Sequence, residues 1–551
     1  MRPTLICILI LASGTAASSA PPKVDWLFPA GAGRGSQVTV QLSDAAGAVR
    51  VWIDQTPGVT AEPAKENGKI TVKVAADAEP GVRWLRFHND EGASVLRPFV
   101  IGTLTEVEEK EPNNAEAQLV TCPVIVNGRL DKSGDVDAFR MSLKRGQTLV
   151  ASMLANETLG SPMDGVLQVC DAAGFVLAQN DETHGLDPQI VFTVPRDGDY
   201  VVRTFAFPAT PDSSINFAGK IDFIYRLTLT IGGFIDHALP MALKAGQANA
   251  VTLVGWNLPA EAARVTITPA KDRAAVTLFH PALANAITLP VREGANLIAA
   301  GVREAEAQAV DRIAKVALPA VITGLPAAIT GRLSERSSDS FRFPARKGES
   351  LRLRVESQSL GFPLDAVLRV TDAAGKQLAE SDDGERDKRD ARDPALTFKP
   401  TADGDCVVSV RDLHGRGGFR FVYRLSIEAM PPDFAVALDK DSYVATAGKA
   451  EITVTIDRQN GFDGDINVRV EGLPPGAAAT PVASQAKDAS AKSVKLNVTI
   501  PASAAPGARA DWAGPIRIIA DSGATRRVAT FPTIANARHE EAWLTVGKEA
   551  K

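Results

Sequence analysis

The segment PMDGVL at residues 162–167 decides the fold of this 551-residue chain, because it recurs as PLDAVL at residues 363–368. Other short motifs recur around it in the same order, at a spacing that stays near 200 residues. Strands of a protein core rarely accept inserted residues, whereas loops often do. Motifs that recur in the same order at a near-constant spacing therefore indicate a duplicated domain. The further pairs are GRL at 128–130 and 331–333, DAF at 137–139 and DSF at 339–341, DAAG at 171–174 and 372–375, DP at 187–188 and 393–394, GD at 198–199 and 404–405, and YRL at 225–227 and 423–425.

The rest of the chain has the pattern of short β-strands. Segments such as QVTVQL (37–42), KITVKV (69–74) and SLRLRV (350–355) alternate polar and apolar residues with period two. Clusters of Gly, Pro, Asn and Asp separate them, as expected for strands joined by turns. This pattern is typical of antiparallel sheets with one wet face. We therefore expect an all-β fold of tandem β-sandwich modules, with one short helix at residues 304–313.

The length of the chain exceeds what one hydrophobic core serves and predicts about four to five domains. The repeats and the linker Met430-Pro431-Pro432 set the expected boundaries. A proline-rich linker is stiff and separates folded units. The expected units are a signal peptide (1–20), an immunoglobulin-like β domain (21–103), a first repeat (104–231), a second immunoglobulin-like domain (232–320), a second repeat (321–428) and a last immunoglobulin-like domain (433–547).

The N-terminus has the layout of a secretory signal. Arg2 precedes an apolar stretch at residues 5–12, and small residues at 16–20 precede Pro21. The apolar stretch is too short to span a membrane, and no later segment is long and apolar enough to do so. We expect a protein that is secreted, periplasmic or on the cell surface, with no transmembrane segment after signal removal. Cys122, Cys170 and Cys406 then remain, an odd and scattered set that predicts buried thiols rather than a disulfide framework.

Charge and motifs argue against two function classes. The net charge of -5, with both signs interspersed, offers no basic stripe for nucleic acid. None of the six histidines lies in a zinc-binding or metalloprotease motif, and there is no nucleophile elbow or phosphate-binding loop. We expect the histidines to be surface or loop residues and the chain not to be an enzyme.

The first repeat resembles the bacterial pre-peptidase C-terminal domain. The resemblance is carried by EKEPNN at 109–114, GRL at 128–130, GDVDAF at 134–139 and GDY at 198–200. The second repeat resembles the same family but lacks the leading EKEPNN, and the flanking modules look immunoglobulin-like. The resemblance implies jelly-roll-like, non-catalytic β-sandwiches that are usually appended to secreted proteases. The family is related to the collagen-binding modules of clostridial collagenases.

In that related group, an acidic leading segment and an aspartate in the following turn hold calcium. Here Glu109, Glu111 and Asn113 are spaced by two, so in an extended segment their side chains would share one side. Calcium takes six to eight oxygen ligands. The candidate metal ligands are Glu109, Glu111, Asn113, Asn114, Asp135 and Asp137. The second repeat offers only Asp339, so no equivalent site is expected there.

A second interpretation of these residues stays open. Acidic residues before a domain often form a solvated linker, and GDVD at 134–137 is also a hairpin turn in which aspartates bond the backbone.

The leading functional hypothesis is a secreted, non-catalytic binding or adhesion scaffold at the bacterial envelope. Its partner would be an extracellular protein or a polysaccharide polymer. The alternatives are a structural spacer or accessory protein for a separately encoded secreted protease, and a hydrolase with an unrecognised active site. Sandwiches host all of these roles, so fold alone does not choose among them.

Overall fold

The computed structural model describes residues 20–43, 49–54, 57–210, 216–293, 295–299, 320–384, 392–501, 512–534 and 538–546. These residues form 47 strands, one four-residue α-helix and one short 3₁₀ helix, which confirms the all-β sandwich fold. No helix in this described part is long and apolar enough to cross a lipid bilayer. The expected signal peptide, Ala20 apart, and the expected helix at 304–313 lie outside the described residues.

The N-terminal sandwich packs two sheets, ordered β1-β3-β6-β5 and β2-β9-β7-β4, with β8 paired to β7. The alternation seen in the sequence decides which side chains are inside: Val40 and Leu42 are buried, while Gln37 and Gln41 are exposed. The strands are β1 (Leu27–Phe28), β2 (Gly31–Gly33), β3 (Gln37–Leu42), β4 (Arg50–Ile53), β5 (Val59–Pro63), β6 (Lys69–Val74), β7 (Gly81–Asn89), β8 (Gly92–Ala93) and β9 (Arg97–Gly102).

The first-repeat sandwich has two five-stranded sheets, ordered β10-β12-β19-β14-β17 and β11-β13-β18-β15-β16. The core between them includes Phe139, Leu167 and Tyr225. The elements are β10 (Glu106–Glu108), β11 (Gln118–Leu119), β12 (Val124–Arg129), β13 (Asp137–Leu143), β14 (Thr148–Leu154), α1 (Asn156–Leu159), β15 (Met163–Asp171), β16 (Val176–Asn180), β17 (Gln189–Thr193), β18 (Gly198–Pro208) and β19 (Ile224–Thr230).

The middle sandwich is smaller, with two three-stranded sheets ordered β20-β22-β23 and β21-β25-β24. Its core includes Ile235, Leu253 and Leu289. The strands are β20 (Phe234–Leu239), β21 (Leu243–Lys244), β22 (Asn249–Trp256), β23 (Arg264–Ile267), β24 (Ala275–Leu278) and β25 (Ile287–Arg292).

The second-repeat sandwich reproduces the first strand for strand, with sheets ordered β26-β28-β35-β30-β33 and β27-β29-β34-β31-β32. The elements are β26 (Ala295–Ile298), β27 (Ala320–Val321), β28 (Ala327–Arg332), β29 (Ser338–Ala345), β30 (Leu351–Glu356), a 3₁₀ helix (Gln358–Leu360), β31 (Ala366–Asp372), β32 (Gln377–Ser381), β33 (Ala395–Phe398), β34 (Gly404–Asp412) and β35 (Val422–Ala429).

One expected boundary differs from the strand pairing. Strand β26 lies in the range assigned from sequence to the middle domain, yet it pairs in parallel with β28 of the second repeat. It therefore has the role that β10 has in the first repeat, where β10 pairs in parallel with β12. This pairing was not predicted because residues 295–298 lack the acidic motif that leads into the first repeat.

The C-terminal sandwich has sheets ordered β36-β38-β42-β40 and β37-β47-β43-β39-β41, with β44 paired to β43 and a separate β45-β46 ladder. Its strands are β36 (Asp433–Leu438), β37 (Ser442–Ala445), β38 (Lys449–Gln459), β39 (Ile466–Glu471), β40 (Ala478–Ala479), β41 (Val482–Ser484), β42 (Ser493–Thr499), β43 (Ala513–Ser522), β44 (Thr525–Val528), β45 (Phe531–Pro532), β46 (Arg538–His539) and β47 (Ala542–Val546).

The repeated GRL and YRL motifs form one packing unit. Gly128 on β12 lies opposite Tyr225 on β19, and a Cβ added to Gly128 would stand 2.1 Å from the tyrosine Cζ. Gly331 and Tyr423 have the same relationship, also at 2.1 Å. A glycine is needed at both positions because the tyrosine ring occupies the space that any side chain would take. Each tyrosine ring thereby passes over the strand that carries the glycine and points toward the start of the strand that follows it in sequence.

The repeated DP motifs anchor a short helical turn. Asp187 accepts hydrogen bonds from the backbone N–H groups of Ala155 and Asn156 at 3.0 and 2.7 Å. Asp393 accepts from the N–H groups of Ser357 and Gln358 at 3.0 and 2.9 Å. Both aspartates are buried. The two carboxylates accept hydrogen bonds from the backbone N–H groups at the start of the helical turn, which, in the described part of the chain, no strand carbonyl accepts.

Candidate metal centre

The leading segment of the first repeat crosses the start of β13. Strand β10 ends at Glu108, and the Glu109 N–H continues the ladder by donating to the Asn127 carbonyl at 3.0 Å. The chain beyond Glu109 then leaves the sheet and passes Asp137, the first residue of β13. Residues far apart in sequence therefore meet at one corner of the sandwich.

Three carboxylates converge at this corner. Glu109, Glu111 and Asp137 each offer an oxygen such that all three atoms lie within 4.8 Å of one another. Asp137 is fully buried, Glu109 is half-buried and Glu111 is exposed. Three like-charged groups at this separation repel one another strongly unless protons or a cation neutralise them.

Tyr225 places its hydroxyl beside two of the three carboxylates. Its Oη donates to Asp137 Oδ2 at 2.5 Å and lies 3.2 Å from Glu109 Oε2. A hydroxyl has one proton and can satisfy one of these carboxylates at a time. Glu109 Oε1 accepts the Arg129 N–H at 2.8 Å, whereas the buried Asp137 Oδ1 has no hydrogen-bond partner within the described structure.

Burial and mutual repulsion shift the titration of this pair. Burial, with the charge of Glu109 added to it, raises the pKa of Asp137 to about 10. Burial also raises the pKa of Glu109 to about 7, and the charge of Glu111 raises it further, although hydrogen bonds from Arg129 and Tyr225 act in the opposite direction. Without a cation, this corner therefore holds protons at neutral pH that ordinary carboxylates would have lost.

The other three predicted ligands lie beside the cluster and already make hydrogen bonds. Asp135 is buried and accepts the Asp131 N–H at 2.9 Å and the Asn114 Nδ2–H at 3.2 Å. Asn113 is buried, and its Oδ1 accepts the Ala138 N–H at 3.2 Å. Asp135 thus bonds the backbone of the turn between β12 and β13, although these two strands lie in different sheets and the turn is not the hairpin of the alternative interpretation. Burial raises the pKa of Asp135, and the charge of Glu111 raises it further. The Asp135 carboxylate therefore interacts electrostatically with a member of the cluster.

An ion pair next to the cluster holds the leading strand in place. Arg226 Nη2 lies 2.7 Å from Glu106 Oε1, and Arg226 Nη1 donates to Asn127 Oδ1 at 2.8 Å. The guanidinium is only 2% exposed and packs against Gly31 of the N-terminal sandwich. Sequence reasoning named neither Tyr225 nor Arg226 as site residues. The YRL repeat marked their positions but not the direction of their side chains.

Among the described residues, the second repeat has the same corner without the cluster. Tyr423 donates to Asp339 at 2.6 Å, and burial raises the pKa of Asp339. The Ala299 N–H donates to the Thr330 carbonyl, the bond that Glu109 makes to Asn127 in the first repeat. Ala299 therefore occupies the place of Glu109 and offers no carboxylate.

The expectation that the histidines are surface or loop residues is wrong for two of them. His237 on β20 is fully buried and bonds Asp236 at 2.8 Å. His88 on β7 is 8% exposed. Of the three cysteines outside the expected signal peptide, Cys170 and Cys406 are buried and Cys122 is half-buried, and all three are free thiols.

Comparisons with known proteins give partial matches. No protein-family model matches the chain. A probable subtilase-type serine protease of Deinococcus radiodurans is 34% identical over 107 residues, which are 18% of this chain. The chain spans only 14% of the length of that relative.

Two solved structures align with low scores. The pre-peptidase C-terminal domain of a collagenase from Bacillus anthracis aligns over its whole length and 22% of this chain, with 14% identity and a TM-score of 0.17. A β-glucuronidase from Ruminococcus gnavus aligns over 34% of its chain and 37% of this one, with 12% identity and a TM-score of 0.19. At these TM-scores neither alignment carries an argument about function.

Proposed function

We propose that this chain is a secreted, non-catalytic, multi-module scaffold that binds an extracellular protein or polysaccharide at the bacterial envelope, and that one calcium ion stabilises its first repeat. The observation that supports the calcium part is the convergence of Glu109, Glu111 and Asp137 on one corner. Hard oxygen donors of this kind, with more than one carboxylate, are what calcium takes in proteins.

The electrostatics of the corner favour a divalent cation. A buried carboxylate that lacks a counter-charge must keep a proton, and both Asp137 and Glu109 do so more readily than usual. A cation would replace these protons and take the free lone pairs of Asp137 Oδ1, which has no other partner in the described structure. Tyr225 could continue to donate to Asp137 Oδ2.

The ligands would come from two parts of the chain. Glu109 and Glu111 belong to the leading segment, and Asp137 belongs to the body of the sandwich. Asn113, Asn114 and Asp135 have further oxygens at the same corner. An ion held between these parts would fasten the leading segment, and with it strand β10, to the sandwich. The ion's role would be structural, because it would join chain segments and leave no substrate position that the described residues define.

Calorimetric titration of calcium chloride into the chelator-treated mature chain tests this proposal. We expect one ion per chain, because the second repeat has Ala299 in place of Glu109. The double variant Glu111→Gln, Asp137→Asn should lose binding. The matched control Asp339→Asn changes the equivalent aspartate of the second repeat and should leave binding unchanged. Two ions per chain, or full binding by the double variant, would refute the assignment.

The scaffold part is tested by binding to immobilised glycans, collagens and envelope polymers. Saturable binding to one class, with no turnover of that ligand, is the expected result. Hydrolytic activity against that ligand that remains after purification of the chain would contradict the non-catalytic role.

A second candidate function is an accessory protein for a separately encoded secreted protease. The stretch that matches a probable subtilase-type serine protease favours this candidate. Co-purification of a protease with the tagged chain from culture medium, in place of polymer binding, would support it.

A further inference from the structure

The N-terminal and C-terminal sandwiches touch directly, although they are the first and last folded units of the sequence. Arg86 on β7 is 1% exposed, and its Nη1 lies 3.1 Å from Asp441 Oδ2 in the C-terminal sandwich. Strand β8 also meets the C-terminal sandwich, since a Cβ added to Gly92 would lie 3.5 Å from Val444. Three of the five sandwiches therefore lie in sequence between two units that contact each other directly.

Two histidines lie in this interface, and each packs on a tryptophan of the other sandwich. The ring centroid of His88 is 4.8 Å from that of Trp543. The ring centroid of His539 is 4.5 Å from that of Trp84. Trp52 completes the layer, with its ring centroid 5.8 Å from that of Trp543. We call His88, His539, Trp52, Trp84, Trp543, Arg86 and Asp441 the clasp.

Each of the two histidines of the clasp has a buried ring nitrogen that, among the described residues, lacks a hydrogen-bond partner. His88 Nδ1 and His539 Nε2 are buried and have no hydrogen-bond partner within the described residues. Protonation of either ring would bury a charge and add a donor with nothing to receive it. A buried charge or donor of this kind destabilises the contact that buries it.

The charges that face the two rings are mostly positive. Burial lowers the pKa of His88 to about 4, and the nearby guanidinium groups of Arg50 and Arg86 lower it further, while Asp90 opposes them. Burial also lowers the pKa of His539 to about 4, and Arg86 adds to the effect.

The carboxylates on this face are already engaged. Asp90 pairs with Arg50 at 2.7 Å. Asp441 pairs with Arg86, and Asp54 accepts the Trp84 N–H at 3.2 Å. Within the described part of the chain, no carboxylate forms an ion pair with His539 that would compensate a proton on its ring.

We propose that the clasp is an acid-sensitive contact, closed while His88 and His539 are neutral and released when both are protonated. The sign follows from the two states. Separated sandwiches would return each histidine to an ordinary pKa near about 6.5. Below that pH the released state binds protons that the closed state excludes. As the pH falls from about 6.5 to about 4, the equilibrium constant for closing the clasp should therefore fall about tenfold per pH unit for each histidine.

The experiment measures compaction and tryptophan protection of the mature full-length chain at pH 7.5, 5.5 and 4.5, at constant ionic strength. Small-angle X-ray scattering gives the radius of gyration, and acrylamide quenching gives the exposure of the tryptophans. Far-UV circular dichroism checks that the strands remain folded. We expect a larger radius and stronger quenching at pH 4.5 with the strand signal retained.

Five variants make the test specific. His88→Phe with His539→Phe keeps both rings on their tryptophans but cannot be protonated, so this chain should stay closed at pH 4.5. Each single variant should halve the pH dependence, and these serve if the double variant does not fold. Asp441→Lys places a like charge against Arg86 and should open the contact at pH 7.5. His414→Gln, at an exposed histidine of the second repeat, should behave as the unchanged chain.

Two results would overturn the proposal. One is an unchanged radius and unchanged quenching at pH 4.5 in the unaltered chain. The other is opening of the phenylalanine variants, single or double, with the same pH dependence as the unaltered chain.

Discussion

Tyr225 donates its hydroxyl proton to Asp137 at 2.5 Å, and Tyr423 donates to Asp339 at 2.6 Å in the equivalent corner of the other repeat. The same donor thus serves a carboxylate cluster in one sandwich and a single buried carboxylate in the other. Each variant at one corner has a matched variant at the other, in the same chain and under the same conditions.

Removal of the two hydroxyls should have different consequences in calcium. Tyr225→Phe and Tyr423→Phe each leave a buried aspartate without its donor, which should reduce the free energy of unfolding by about 1–3 kcal/mol in chelator. Calcium should recover part of the loss for Tyr225→Phe, because a cation would compensate Asp137, and none for Tyr423→Phe. Urea unfolding followed by fluorescence, with and without calcium, checks this. Equal recovery in both variants would contradict a site confined to the first repeat.

Calcium binding should release protons. At pH 7 the ion-free corner holds protons that Asp137 and Glu109 share, since burial and mutual repulsion raise both pKa values. Bound calcium would displace about one to two protons, and its affinity should fall as the pH falls through 7. Titrations in buffers of different ionisation enthalpy measure the number released. Calcium binding without proton release would mean that these two carboxyls are not its ligands.

A methyl group at Gly128 should disrupt the packing of the first repeat. The added Cβ of Gly128→Ala would stand 2.1 Å from the Tyr225 ring, so ring or backbone must move, at about 1–3 kcal/mol or more for overpacking of this kind. Gly324→Ala is the control, because no atom lies within 4 Å of its added Cβ. Thermal unfolding by calorimetry should show a lowered transition for the first variant only. An unshifted transition in Gly128→Ala would show that the tyrosine ring yields freely.

Loss of the buried Asp393 of the second DP motif should destabilise the chain more than loss of the half-buried Asp372 of the second DAAG motif. Asp393→Ala removes the acceptor of three backbone N–H groups at a buried site, and a loss of about 2 kcal/mol or more is expected. Asp372 accepts the Ala374 and Lys376 N–H groups in an exposed turn, where water can replace it. Asp372→Ala should therefore change the unfolding free energy by well under half as much. Comparable losses would mean that burial does not decide the difference.

Much of the fold was predictable because the local pattern and the tertiary environment agree. Alternation at residues 37–42 predicted which side chains face the core, and Val40 and Leu42 are buried. Strand β26 was not predictable, because its parallel pairing with β28 depends on a partner beyond residue 320 rather than on a local pattern.

The candidate metal centre was predictable where its members are close in sequence. Spacing by two brought Glu109 and Glu111 together, and Asp137 follows in the next turn motif. Tyr225 lies 88 positions beyond Asp137 and reaches it only across the sandwich. Asp135 faces the same corner but is engaged by the Asp131 N–H, a use that spacing alone does not distinguish from metal ligation.

The clasp also has a mechanical consequence. Ala20, at the start of the described chain, accepts a hydrogen bond from Asn89 beside the clasp, and β47, which ends at Val546, pairs with β37 at the same interface. Tension applied between residues 20 and 546 would therefore pass through the N-terminal and C-terminal sandwiches by the shortest route. The three sandwiches between them would bear little of this force until the contact between the N-terminal and C-terminal sandwiches breaks.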